Sequence, residues 1–226
     1  MSDRNKLIQK ISQLLAHAES TNNEAEAETF MAKVHDMLSK HNVSLHELGD
    51  QDDPIHRSSD ELEVSRSLSY AVHLLPALGA YYGCEVVFHR GHKKNRFICF
   101  GRESATMTFH IMAPFILKQV RQQAKRLHNE GCIPTYGKGL TAVANALTYR
   151  LNRLYWENKE RDEERVATGE RALVPVDRVE ALVAEHYPEL KENNHKPQGT
   201  TRAAVDAANK IGIHCQTEHT PQGLIE

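Results

Sequence analysis

The sequence predicts an α+β fold: an N-terminal helical hairpin followed by a small antiparallel sheet that is packed by long helices. Three observations predict it. Apolar residues recur at spacings of three and four over several long segments, which is the pattern of amphipathic helices. Two short β-like segments flank a turn that contains Gly91. The 226 residues are 40% hydrophobic, so the chain can bury a sizeable core.

The first predicted domain is a helical hairpin over residues 1–50. Its two apolar stripes share the helical spacing, and Asn22 or Asn23 can cap the second helix. The first stripe is Leu7, Ile8, Ile11, Leu14, Leu15 and Ala18, and the second is Ala27, Phe30, Met31, Val34, Met37 and Leu38. We expect these stripes to face each other or the rest of the protein.

The second predicted domain is an α+β domain over residues 60–190, after a polar linker at Asp50–Ser59. A helical pattern covers Glu61–Tyr82, with a kink or split expected at Pro76 and an end at Gly83. A β-hairpin follows, with strands at Glu85–His89 and Arg96–Phe100. Because a strand buries one face, Phe88, Phe97 and Phe100 are predicted to be core residues rather than platforms for stacking bases.

The remaining elements are mostly helical. In chain order they are a helix at Glu103–His128 bent at Pro114, a loop at Glu130–Gly139, a helix at Leu140–Ala167, a third short strand at Ala172–Val176 and a helix at Asp177–His186. Residues 191–226 are predicted to be a linker and a C-terminal helix, at Thr200–Ile211.

The opening segments LLAHAES, EAEAETFMAKV and MLSKHNV, with the Asn-Asn turn between them, resemble the domain-of-unknown-function 2786 family. That helical hairpin occurs near the N-terminus of many phage and prophage proteins. The segments CEVVF, FICFGRES, YGKGLTAVANAL and ALVPV look like the α+β domain that follows it in phage members. The resemblance implies a phage or prophage origin and brings no established activity. Some members carry a zinc peptidase helix with a His-Glu-x-x-His motif, which this sequence lacks.

Metal ligation has one candidate set around the β-hairpin, namely Cys84, His89, His92 and Cys99. These are the soft and borderline donors that zinc takes in a tetrahedral site. Their spacing of four, two and six intervening residues differs from that of zinc fingers, and the cysteines equally suit buried strand positions. No cofactor and no catalytic residue is therefore assigned, and a zinc-dependent enzyme is the third functional hypothesis.

The segment Thr135-Tyr136-Gly137-Lys138-Gly139 leads into a predicted helix. Backbone amides and a lysine at such a position can hold a phosphate. It lacks the Gly-x-x-x-x-Gly-Lys-Ser/Thr layout of a nucleotide-binding loop, and its glycines can equally allow close packing.

Charge is distributed unevenly along the chain. Residues 84–128 carry nine Lys and Arg against two Asp and Glu, whereas the segments on either side are acidic and the formal net charge is −2. The first functional hypothesis is a non-enzymatic phage accessory protein that binds nucleic acid through a central basic surface, at residues 90–126. The residues assigned to it are Arg90, Lys93, Lys94, Arg96, Lys118, Arg121, Lys125 and Arg126.

The alternative is a protein-protein role, as an inhibitor or modulator of a host defence factor. It would use the acidic hairpin or the charged segment Glu157–Arg165. The hairpin also makes a homodimer a reasonable expectation. No stretch of about 18 apolar residues and no secretion signal is present, so we expect no membrane partner and a location in the bacterial host cytoplasm.

Overall fold

The computed structural model describes residues 55–167, 176–189 and 200–213, together with the single positions 10, 11, 13, 14, 17, 29, 33, 34 and 37. The side chains of residues 161–167 and 176–178 are not described. The chain forms two compact units, Met1–Glu47 with Gly212–Glu226, and Leu48–Ile211. Most of the predicted N-terminal hairpin lies outside the described residues. Its single described positions are helical, and Ile11 and Val34, one from each predicted stripe, are fully buried.

The second unit contains three strands and five helices in the described residues. In chain order they are β1 (Ile55–Ser65), α1 (Ala71–Tyr81), β2 (Cys84–His89), β3 (Lys94–Arg102), α2 (Glu103–Asn129), α3 (Tyr136–Ala167), α4 (Val176–His186) and α5 (Arg202–Asn209). The strands form an antiparallel sheet in the order β1-β3-β2. The α+β class is confirmed, and so is the β2–β3 hairpin.

Strand β1 corrects two predictions. Residues 55–59 were assigned to a linker and residues 61–65 to a helix, yet all of them belong to this strand. The pairing of β1 with β3 shifts between Arg57 and Glu61, because four steps along β1 match two steps along β3. Such a bulge interrupts the alternation of apolar and polar residues that identifies a strand in a sequence.

Among the described residues, the third strand of the sheet is β1, and the predicted strand Ala172–Val176 falls almost wholly outside them. Residues 172–175 lie outside the described part of the chain, and Val176 is the first residue of α4. Helix α1 is shorter than the predicted Glu61–Tyr82 and is not split at Pro76. The predicted stop is confirmed, since Gly83 follows the helix with a φ of 81°, a left-handed conformation that glycine adopts without strain.

Helix α3 begins four residues earlier than predicted, so residues 136–139 belong to the helix rather than to the loop. Helix α2 matches its prediction to within one residue and continues through Pro114. In the described residues, no helix is both long and apolar enough to cross a membrane.

Both faces of the sheet are covered. On one face, which we call the α4 face, Val87, Ile98 and Phe100 pack against Val179 and Val183 of α4. The other face packs against α1 and α2, and there the Ser58 hydroxyl lies 3.0 Å from Nε2 of His110 in α2. Phe97 and Phe100 are confirmed as core residues and Phe88 is half-buried, but the expectation of one buried face was wrong for β3.

Helix α5 is held by an arginine of α3. Nη1 of Arg150 donates to the backbone carbonyls of Ala208, Asn209 and Ile211 at 3.0, 3.3 and 2.9 Å. These carbonyls lie where a helix leaves its last acceptors without intrahelical partners. Arg150 therefore supplies the donor that the end of α5 lacks.

We expect Arg150→Lys to lower the free energy of unfolding by about 1–3 kcal/mol, because one ammonium group cannot replace a guanidinium that serves three carbonyls. Urea denaturation of the full chain measures the change. Arg153→Lys is the matched control on the same helix, because the Arg153 side chain is 69% exposed and pairs only with Glu157 among the described residues. Equal losses in the two variants would contradict the role of Arg150.

A second prediction concerns Glu85, which lies opposite Phe100 on the α4 face. The Glu85 residue is exposed in part, but its partial desolvation raises the pKa of its carboxyl, and the nearby carboxylate of Glu180 raises it further. A raised pKa means that the folded state holds the proton more tightly than the unfolded chain, so stability falls as the pH rises through the folded pKa. Glu85→Gln should therefore be more stable than the parent at pH 7.5, and the difference should shrink towards pH 4.

Thermal unfolding of both proteins across this pH range tests the prediction. Glu189→Gln, at an exposed position after α4, is the control and should show no such pH-dependent difference. A parent protein as stable as Glu85→Gln at every pH would contradict a raised pKa at Glu85.

Candidate nucleic-acid interface

The structure divides the eight predicted basic residues between separate surfaces. Lys94 and Arg96 lie on β3, where they face acidic residues of β1 across the sheet. Nζ of Lys94 is 2.6 Å from Oε2 of Glu63, and Nη1 of Arg96 is 3.4 Å from Oε2 of Glu61. Arg57 also pairs with Glu61, at 2.8 Å. These cations are thus largely neutralised by their own sheet.

The Glu63 carboxylate shows the effect of this pairing. Its hydrogen bond with Lys94 and the charge of Lys94 hold its pKa below the ordinary value. The carboxylate therefore stays ionised at neutral pH and stays available to Lys94. A phosphate approaching this part of the sheet must compete with a carboxylate that is already in place.

Two of the predicted residues on α2 are also less available to a phosphate than the sequence suggested. Nε of Arg126 is 2.9 Å from Oε1 of Glu130, and Lys118 is half-buried. Arg121 and Lys125 are exposed, one helical turn apart, so they project from the same face of α2.

The loop after β1 brings the tip of the β-hairpin to the same end of the unit as Arg121. The Arg66 amide donates to the Lys93 carbonyl at 3.1 Å, which fixes this loop against the tip. Four residues further on, Tyr70 lies close enough to Arg121 for the guanidinium charge to act on its hydroxyl. The loop from Arg66 to Tyr70 therefore links the hairpin tip to the middle of α2, although Lys93 and Arg121 are 28 positions apart in sequence.

The start of α3 joins this region. Gly139 packs against Ala124 of α2, where an added Cβ would lie 3.2 Å from the Ala124 carbonyl oxygen. Lys138 is the preceding residue and is exposed. We call the resulting surface the basic end. It consists of six exposed residues from four segments: Arg66, Arg90, Lys93, Arg121, Lys125 and Lys138.

Sequence reasoning assigned four of these six residues and missed Arg66 and Lys138. Arg66 stood inside a predicted helix, and Lys138 was considered only as part of a phosphate-binding segment. Arg66 and Lys138 both lie outside the basic segment of residues 84–128. They join the surface only through contacts between segments that are distant in sequence. The glycines around Lys138 were a usable signal, since they allow the close approach of α3 to α2.

The four candidate zinc ligands do not come together. Cys84 and Cys99 are buried on the face of the sheet that packs against α1 and α2, since Cys84 pairs with Gly101 and Cys99 with Val86. His89 pairs with Arg96, at the other end of β2 and on the opposite face, and His92 lies in the turn. Five residue-to-residue steps along the strand place Cys84 about 16 Å from His89, far beyond any shared coordination sphere. In the described residues, no three His, Cys, Asp or Glu side chains form a cluster that could hold a metal ion.

The segment Thr135–Gly139 shows the close packing that was one of its two predicted roles. Gly139 serves the close packing of α3 on α2, whereas a side chain at Gly137 would meet no atom within 4 Å. Thr135 caps the helix: its Oγ1 accepts from the Lys138 amide at 3.3 Å, and its carbonyl accepts from the Gly139 amide at 3.0 Å. One glycine therefore explains the packing, and the other leaves the first turn of α3 open.

The basic end can neutralise several phosphate groups, because Arg and Lys side chains on an exposed surface pair with phosphate oxygens without first losing a protein partner. Arg66, Arg90, Lys93, Lys125 and Lys138 form no ion pair with any residue that the structure describes. Tyr136, at 39% exposure, adds an aromatic ring beside these charges.

Comparison with known proteins agrees with the resemblance seen in the opening residues. Residues 6–45 match the family described as "Protein of unknown function (DUF2786)", a match that covers less than a fifth of the 226-residue chain. No curated protein and no solved structure shows significant similarity to the chain. The family match lies in the first unit, whereas the basic end belongs to the second.

Proposed function

We propose that the protein binds nucleic acid through the basic end, with its lysines and arginines neutralising backbone phosphates. The observation that carries this proposal is the convergence of six exposed cations from four segments on one end of the unit. By contrast, Arg57, Lys94 and Arg96 on the sheet are paired with carboxylates. Phosphate contacts of this kind carry no sequence information, so the binding is expected to be independent of base sequence.

The biological setting is part of the proposal. The resemblance of the opening hairpin to a family common in phage proteins supports a phage or prophage accessory protein that acts in the bacterial cytoplasm. The proposed role is non-enzymatic, because binding by charge neutralisation needs no catalytic group.

A second candidate function is protein binding, and one surface favours it. Trp156 and Tyr149 lie seven residues apart on α3, with 56% and 50% of each residue exposed. Exposed tryptophan and tyrosine are enriched at protein interfaces. A host protein or a second copy of the chain is the proposed occupant, and Trp156→Ala should weaken that complex while leaving nucleic-acid binding unchanged.

The nucleic-acid proposal predicts a strong dependence on salt. Each phosphate neutralised on duplex DNA changes the slope of log affinity against log salt by about 0.9, so six cations give a slope near −5. Reversing Lys93 and Lys125 to Glu should reduce the steepness of the slope by about 2 and weaken binding more than tenfold at low salt. Fluorescence anisotropy with a labelled duplex, at several salt concentrations, measures both.

The matched control is Arg153→Glu with Arg202→Glu, which makes the same change in net charge at exposed positions away from the basic end. Its affinity should fall far less than that of the Lys93/Lys125 variant. Equal losses would mean that overall charge governs binding, which would contradict a localised interface.

A further prediction follows from the ion pairs on the sheet. Glu61→Gln with Glu63→Gln removes the carboxylates that occupy Arg57, Lys94 and Arg96, so these cations become available next to the basic end. We expect DNA affinity at low salt to rise several-fold and the salt slope to steepen by about 1 to 2. The control is Glu157→Gln with Glu160→Gln on α3, and a rise of the same size in that control would contradict the prediction.

A further inference from the structure

We propose that the outer edge of β2 is an interaction surface for a second copy of this chain, whose own β2 pairs with it as an antiparallel strand. A two-fold axis would relate the two copies, and two three-stranded sheets would join into one sheet of six strands. The inference goes beyond the proposed function, because it concerns β2 rather than the basic end and does not depend on nucleic acid.

The first observation is the position of β2 in the sheet. It is the last strand in the order β1-β3-β2, so β3 occupies one of its two edges. Among the described residues, the backbone groups of Glu85–His89 bond to no backbone group other than those of β3. Alternate residues of an antiparallel strand direct their N–H and C=O groups to opposite edges. The outer edge of β2 therefore presents donors and acceptors that another strand can use.

The two faces of β2 are already covered within the unit. Val86 lies against Gly79 of α1, where an added Cβ would collide with the Val86 side chain. On the opposite face, Val87 packs against Val179 and Val183 of α4. A partner that approaches β2 therefore meets its backbone edge, and main-chain hydrogen bonds would supply most of the affinity.

The other edge strand of the sheet, β1, carries features that discourage pairing with a further strand. Its register against β3 shifts between Arg57 and Glu61, which indicates a bulge. Asp60, Glu61 and Glu63 add negative charges along the strand. Bulges and charged side chains are the devices by which natural proteins protect an exposed sheet edge.

Strand β2 lacks these features. Its register against β3 is continuous over Cys84–His89, it contains neither proline nor lysine, and its centre is the apolar run Val86–Phe88. Of the two edges, β2 is therefore the one suited to pairing. Once two copies pair through β2, both outer edges of the joined sheet are β1 strands, so the assembly stops at a dimer instead of growing into a fibre.

The sequence of β2 is also complementary to itself when reversed. In an antiparallel pairing centred on Val87, Glu85 of one copy lies opposite His89 of the other, and Val86 lies opposite Phe88. The two-fold axis makes each of these pairs occur twice. Glu85 and His89 are exposed and Phe88 is half-buried, so their side chains are available to a second copy. Opposite charges and apolar pairs at facing positions stabilise neighbouring strands.

The surroundings of Glu85 fit this pairing. Within one copy, neither Glu85 nor His89 forms an ion pair with a residue that the structure describes. Partial desolvation and the Glu180 carboxylate raise the pKa of Glu85, and no cation of the described residues offsets them. An N–H group of His89 from a second copy would give this carboxylate a donor, which a histidine can supply in its neutral and its charged form.

The test uses the full chain in reducing buffer, since Cys132 is exposed and a disulfide through it would imitate a dimer. Sedimentation velocity over a concentration series measures the dimer fraction, and hydrogen exchange read by mass spectrometry locates the surface. The amides of Glu85–His89 should exchange more slowly as the dimer fraction rises, because those at the outer edge gain partners. Exchange in β1, at the opposite edge, should stay unchanged and is the internal control.

Charge reversal tests the pairing of Glu85 with His89. Glu85→Lys places a lysine opposite His89 and should raise the dissociation constant of the dimer about tenfold, since both symmetric pairs lose their carboxylate. Adding His89→Glu recreates an opposite-charge pair in reversed order and should restore the dissociation constant of the parent. Asp60→Lys makes the same change of charge at an exposed position of β1 and should leave the dimer unchanged.

Four results would overturn the proposal. One is a chain that stays monomeric at every concentration. Another is a dimer in which the exchange of Glu85–His89 does not change, because the copies would then meet elsewhere, such as at Trp156. Slow exchange of every amide of Glu85–His89 in the monomer would mean that the same copy covers the edge. A loss in Glu85→Lys that His89→Glu does not restore would remove the pairing on which the dimer rests.

Discussion

The burial of β3 on both faces is the constraint on which the second unit depends. From Phe97 to Arg102 every residue of this strand is buried, because α4 covers one face while α1 and α2 cover the other. The strand also pairs along both of its edges, with β1 and with β2. Removing a buried aromatic ring such as that of Phe97 or Phe100 would therefore loosen a sheet and several helices together.

The position of β3 also determines where the basic end forms. The hairpin tip precedes the strand and α2 follows it directly, at Glu103. Helix α2 packs back over the sheet, since Ser58 of β1 contacts His110. The Lys93 carbonyl binds the start of the loop that leads to Tyr70, and Tyr70 lies beside Arg121. Residues that flank β3 in sequence thus meet at the same end of the sheet.

The helices were the best predicted part of the fold, because their apolar stripes run for many turns and depend on local sequence alone. Strand β1 was missed for the opposite reason: its bulge hides the alternation of residues, and its pairing with β3 joins Ile55 to Arg102, 47 positions apart. A sequence pattern does not contain that pairing. The same limit applies to α3, whose first turn includes two glycines that usually indicate a loop.

The charged residues show that a segment rich in cations in the sequence need not form a single basic surface in the folded protein. The run of nine cations in residues 84–128 led to the prediction of one basic surface, whereas only four of the eight assigned residues lie at the basic end. The pairing of Lys94 with Glu63 and of Arg96 with Glu61 depends on the register of β1 against β3, which the sequence did not reveal. Arg66 and Lys138 joined the surface through contacts of the same long-range kind.

The central claim is that the basic end, rather than cationic residues in general, contacts nucleic acid. Lysine acetylation followed by mass spectrometry tests it on the parent sequence, without any substitution. The reaction is run with and without bound duplex DNA. The account predicts that DNA protects Lys93, Lys125 and Lys138, while Lys159 and Lys210 react equally in both samples. Protection of Lys159 and Lys210 with unchanged reactivity at Lys93, Lys125 and Lys138 would contradict it.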